Sequence, residues 1–144
     1  MKVLKLASTV LVTGLLVTGC GHMGGKQYTV YFDSGSSSLS PAAKSTLMKV
    51  AKEMKKEKEA SIKWLPLSKK KIVSLSGHTD AVGSKDLNEK LAEKRIDAVE
   101  KQLMRYGVKD ASIATNASGE WWQAISTKDG VSHSKNRRVD ISVY

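Results

Sequence analysis

Residues 76–95 read SGHTDAVGSKDLNEKLAEKR, and a strand, a turn and a helix meet within them. The run before and into this stretch, KIVSLSG at 71–77, is short and rich in apolar and β-branched residues. It reads as a strand, buried on both faces. A polar turn follows, and then Ala92, Ile96, Val99 and Leu103 recur at intervals of three and four. That spacing puts them on one stripe of a long helix. Asp86 is expected to cap its N-terminus, and Gly107 is a plausible stop.

Upstream, QYTVYFD at 27–33 alternates, with Tyr28, Val30 and Phe32 on one side and Thr29 and Tyr31 on the other. Alternation of this kind marks a strand. After the loop SGSSSLS, Ser40 suits an N-cap and Pro41 the first helical position. Ala43, Leu47, Val50, Ala51 and Met54 form the buried stripe of that helix. Its continuation, KEMKKEKEASIK, is charged; WLPL and Lys69, Lys70 and Lys71 follow. The lysines read as a solvated face, and WLPL as either a surface-docking element or a loop tucked onto the core.

Downstream, ASIATNASG at 111–119 is a weaker strand, and residues 119–135 form a long loop with room for a helical turn. NRRVDISVY at 136–144 closes the chain as a strand, with Val139, Ile141 and Val143 on one face. The order β-α-β-α-β-β predicts an α/β fold of the two-layer α+β kind: a mixed four-stranded sheet with both helices on one face.

The 144 residues suit one domain, and the formal net charge of +10 suits an anionic partner. A single cysteine excludes an internal disulfide and any CxxC metal site. Residues 1–19, MKVLKLASTVLVTGLLVTG, have two early lysines and an apolar, uncharged stretch diluted by Thr, Ser and Gly. A membrane span needs about 20 largely apolar residues, so this shorter run reads as a secretory signal. It ends in Val17-Thr18-Gly19-Cys20, which resembles a bacterial lipobox, with Val where Leu is commoner. Cys20 would then carry lipid, and residues 20–26 would be a short tether between the membrane and a domain at 27–144. Gly21, rather than Asp, after the cysteine implies the outer membrane by resemblance to sorted lipoproteins. Export leaves nucleic acid without a role as partner.

Asp80 lies in the turn after the 71–77 strand, and backbone N–H groups at 79–87 favour an anion nearby. Asn88 and Arg95 share a helix face, about 10 Å apart along the axis. Carboxylate, amide and guanidinium together suit a zwitterion, with Asp80 on an ammonium and Arg95 on a carboxylate. Taken alone, Asp80 and Arg95 would read as a structural ion pair bracing the turn. His78 and Asp80, two residues apart, make a poor metal site, and no metal or cofactor is expected. Trp121-Trp122 suits either stacking on sugar rings or a packed, half-buried pair.

YFDSGSSSLSP, GHTD-x-x-G, L-N-x-x-L-x-x-x-R and NRRV, in that order behind a lipobox, resemble an OmpA-like peptidoglycan-binding domain of the peptidoglycan-associated lipoprotein type. The resemblance covers residue 28 to the C-terminus. It implies noncovalent binding of peptidoglycan at the diaminopimelate of its stem peptide, whose free end is a zwitterion. By the same resemblance Asp80, Arg95, Thr79 and Asn88 line the site. Arg137 and Arg138 match the family's arginine pair; parity assigns Arg137 to the site and Arg138 to solvent. Ala92 stands where Ser is commoner and Ile96 where a small Ala is, departures expected to alter affinity. The segment before the 71–77 strand is longer than usual. The function implied is an outer-membrane lipoprotein, its domain facing the periplasm, that ties the membrane to the wall. An envelope signalling or assembly factor docking a protein partner, with residues 58–71 as its surface, is the alternative. No nucleophile–base pair, metal set or paired catalytic carboxylates point to an enzyme.

Overall fold

The computed structural model describes residues 25–56 and 71–144. The signal segment, Cys20 and the Lys-rich WLPL segment all lie outside the described residues. Strand β1 (Lys26–Tyr31) leads to helix α1 (Pro41–Lys55), and β2 (Val73–His78) to helix α2 (Lys85–Arg105). Strands β3 (Ile113–Gly119) and β4 (Arg138–Val143) complete the chain. The sheet order is β1-β4-β2-β3. β4 runs antiparallel to both neighbours and β2 parallel to β3, so the sheet is mixed, as expected.

Register explains the core. Val73, Leu75 and Gly77 of β2 pair with Val143, Ile141 and Val139 of β4, and Tyr28 and Val30 of β1 pair with Ile141 and Val139. These side chains share one face, and Leu47, Val50, Ile96, Val99 and Leu103 of the helices close over it. The other face of β2 carries Ser74 and Ser76, which are half-buried. The expectation of burial on both faces therefore holds for one only, because both helices lie on the same side.

The caps follow local chemistry. Ser40 Oγ accepts from the Ala43 N–H with Pro41 opening α1, as expected. α2 is capped by Ser84, whose Oγ accepts from the Leu87 N–H, and not by Asp86, which lies inside the first turn. There Asp86 still favours the helix through its dipole. At the other end Val108 N–H donates to Leu103 O and Gly107 N–H to Met104 O. This Schellman arrangement needs Gly107 at φ 87.

Gly77 sets the distance between α2 and the sheet. A Cβ there would stand 2.8 Å from both the Ala92 carbonyl oxygen and Ile96 Cγ1. Helix backbone thus rests directly on the strand, and Ile96, 3% exposed, fills core beside it.

Candidate functional site

Close approach of α2 carries Arg95 over the end of β2. Its guanidinium is fully buried and donates to three backbone carbonyls: Ser36 at 2.9 Å, His78 at 2.8 Å and Asp33 at 3.1 Å. It also lies 5.2 Å from the centre of the Phe32 ring, within cation–π range. Burial lowers its pKa to about 10; the Asp80 charge opposes this and the Arg137 charge adds to it. Arg95 stays cationic at neutral pH and joins the β1–α1 loop to the end of β2.

Just past β2, pairing with β3 shifts at Gly77/His78, so that His78 pairs with Gly119. Thr79 N–H donates to Gly119 O at 2.8 Å, and Ala81 O accepts from Gly130 N–H at 2.7 Å. The turn is therefore held between the end of β3 and the β3–β4 loop. Asp80, 5% exposed, accepts from Ser132 Oγ at 2.7 Å and from Arg137 Nη1 at 3.1 Å, both at Oδ2. Burial alone would raise its carboxyl. Hydrogen bonds from Ser132 and Arg137, the Arg137 charge and the His133 backbone N–H outweigh that and hold it below 3.8. Thr79 Oγ1 is buried with no hydrogen-bond partner among the described residues.

Arg137 ties the cluster together. It donates to Phe32 O at 3.1 Å, to Asp80, and to Ser132 Oγ at 2.8 Å. It also lines a cleft of about 640 Å³ shared with Tyr31, Phe32, Leu39 and Lys135. That volume suits a small ligand. Asp80 with Arg95 and Arg137 leaves one positive charge in excess, which favours a ligand carboxylate.

The structure brings Asp80, Arg95, Thr79 and Arg137 to one end of the sheet, and it revises their pairing. The ion pair of Asp80 is with Arg137, and none within 4.0 Å joins it to Arg95. Asn88 is buried and donates to Glu120 Oε2 at 2.8 Å, holding the start of the β3–β4 loop. Arg138 is not in solvent. It is 9% exposed, because the β3–β4 loop covers it: Nε donates to Asp140 Oδ2 at 2.8 Å and Nη2 to Trp122 O at 3.0 Å. Trp121 and Trp122 are exposed, which excludes the packed, half-buried pair. His78 is buried beside Asp140, and burial, then the Arg138 charge, opposed by Asp140, lowers its pKa to about 4. Among the described residues no group of three or more His, Cys, Asp or Glu could hold a metal ion.

Ser132 and Glu120 escaped the sequence reading. They sit in an aperiodic loop, far in sequence from Asp80 and Asn88, and only folding brings them together. The backbone of Phe32 and Asp33 belongs to the YFDSGSSSLSP block, so its share in the site had a signal.

Comparisons with known proteins agree with this fold. The family model described as the OmpA family matches residues 31–137. The chain is 32% identical over 141 residues to "Probable lipoprotein YiaD" of Escherichia coli (strain K12), covering 96% of this chain and 59% of that protein. It is 33% identical over 113 residues to the peptidoglycan-associated lipoprotein of Pseudomonas aeruginosa, covering 78% of this chain and 60% of that one. The chain therefore spans about three fifths of the length of these curated relatives. The crystal structure of the peptidoglycan-associated lipoprotein from Burkholderia pseudomallei superimposes with a TM-score of 0.67 at 27% identity, over 81% of this chain and 89% of that one. On the match across most of its length and on these relatives, the chain belongs to the OmpA family.

Proposed function

We propose that this protein is an outer-membrane lipoprotein, lipidated at Cys20, that binds peptidoglycan noncovalently and anchors the membrane to the wall. The ligand group is the zwitterionic end of diaminopimelate in the stem peptide. Its ammonium pairs with Asp80, and its carboxylate meets the positive charge of Arg137 and Arg95. The observation that carries this reading is the buried Asp80 carboxylate, held ionised by Ser132 and by Arg137, which itself lines a cleft. Relatives named peptidoglycan-associated lipoprotein support it, and so does the basic charge of the chain. The role is binding without catalysis.

Co-sedimentation with purified sacculi tests the proposal. The protein should pellet with them, and free diaminopimelate should release it. Binding that free diaminopimelate leaves untouched would place the contact on another part of the polymer.

A further inference from the structure

The β3–β4 loop exposes two neighbouring indoles, Trp121 at 74% and Trp122 at 72%. The loop is nevertheless tightly held. Trp121 N–H donates to Ser118 O at 3.0 Å, and buried Arg138 donates to Trp122 O at 3.0 Å. Asn136, fully buried, bonds the Ile125 backbone both ways, at 2.9 and 2.8 Å. A large aromatic ring carried into water on a backbone held in this way is partly organised for a ligand, since little backbone freedom remains to be lost on binding.

Trp121 walls a cleft of about 400 Å³, with Lys85, Glu120, Gln123 and Asp129 around it and Ala81 at its edge. Lys85 Nζ stands 4.9 Å over the indole and steadies it. The combination of an aromatic face and a ring of hydrogen-bonding side chains matches a pyranose. Its axial C–H groups give an apolar face and its hydroxyls a polar edge. The two carboxylates, Glu120 and Asp129, accept from hydroxyls but repel an anionic lipid surface. Ala81 directly follows Asp80 in the chain, so the cleft adjoins the Asp80 cluster within about 4 Å of backbone.

We propose that Trp121 is a stacking platform for a sugar ring of the glycan strand, with Glu120, Gln123 and Asp129 taking its hydroxyls. The inference rests on the peptidoglycan reading above. The stem peptide lies at Asp80, and the strand that bears it passes over the Trp121 cleft. The domain then reads peptide and sugar together.

Two separate probes test it by calorimetry and tryptophan fluorescence. One is the β-1,4-linked tetramer of N-acetylglucosamine, which carries no peptide; the other is a diaminopimelate-containing stem peptide, which carries no sugar. The wild type should bind both. Trp121→Ala should weaken tetramer binding by about tenfold or more, the effect of removing roughly half an indole's contact area. Its stem-peptide affinity should stay unchanged, and circular dichroism should show an intact fold. Trp122, which does not line the cleft, serves as the comparison, and Trp122→Ala should keep tetramer affinity within about twofold. Wild-type tetramer affinity in Trp121→Ala, equal losses in both variants, or no tetramer binding by the wild type would each overturn the inference. So would Trp121-dependent capture by anionic vesicles without tetramer binding. Tetramer binding without stem-peptide binding would support the sugar site and sink the diaminopimelate reading.

Discussion

Arg137 meets the Asp80 carboxylate at 3.1 Å, while Arg95 gives its N–H groups to backbone carbonyls of Ser36, His78 and Asp33. The two arginines therefore do different work. Arg137 answers the charge of Asp80 and borders open space. Arg95 holds three chain segments together from inside.

Asp80→Ala and Arg137→Ala should each weaken binding of a diaminopimelate-containing stem peptide. Truncating one side of a buried charge contact costs roughly 2–5 kcal/mol, about 30-fold or more in affinity. Thr79→Ala should cost less, about 1 kcal/mol, as for a neutral hydrogen bond. Calorimetry on folded variants measures all three. Wild-type affinity in a folded Asp80→Ala, Arg137→Ala double variant would move the ligand elsewhere.

Arg95→Ala should lose stability as well as binding. It removes three charge-assisted bonds that join the β1–α1 loop to the end of β2 and empties a buried site, at a cost of roughly 3 kcal/mol or more. Arg95→Lys should rescue little, because one ammonium cannot match a planar fork aimed at separate acceptors. Denaturant unfolding gives the difference directly; a fully stable Arg95→Ala protein would contradict this structural role.

Gly77→Ala should destabilise by about 1–3 kcal/mol through overpacking against α2. Added to Ile96→Ala, which carries its own cavity cost, Gly77→Ala should still destabilise, though less than in the wild type, since the Ala92 carbonyl remains in the way. Equal thermal midpoints for Ile96→Ala and the double variant would show that Ile96 alone sets the contact.

Stability should fall as the solution is acidified below neutrality. His78 titrates at about 4 when folded against 6.5 when unfolded, so between these values the unfolded chain binds more protons. From pH 7 to pH 5 this removes about 2 kcal/mol. Asp80 adds a later loss. Its contribution is present above 3.8 and disappears as pH falls through its lowered folded value. Thermal unfolding across this range should show the early slope flattened in His78→Asn and the later one in Asp80→Asn. An unchanged slope in His78→Asn would assign the proton uptake to another group.

Cys20→Ser should leave the protein either soluble in the periplasm or retained as an uncleaved precursor. Membrane fractionation with immunoblotting distinguishes these from the anchored form. A mature Cys20→Ser protein still in the outer membrane would remove the lipid from the account.

Much of the fold was legible in the chain because its causes are local. Alternation in YTVYF, the three-and-four spacing from Ala92 to Leu103, the Ser40-Pro41 start and the Gly107 stop act within a few residues. The same holds for the grouping of Asp80, Thr79 and Arg95, since a turn and the following helix are adjacent in sequence. Pairing was another matter. Asp80 could not be assigned to Arg137 from sequence, because β4 returns between β1 and β2 and delivers Arg137 from far along the chain. Parity put Arg138 on the face away from the helices, but its burial depends on a loop that folds over that face and hydrogen-bonds to it through Trp122. The capping of α2 by Ser84 rather than Asp86 turned on where the helix begins, a shift within one turn that periodicity does not resolve. Side-chain period reports which face a residue occupies; what lies against that face is set by contacts between distant segments, and these exist only once the chain has closed.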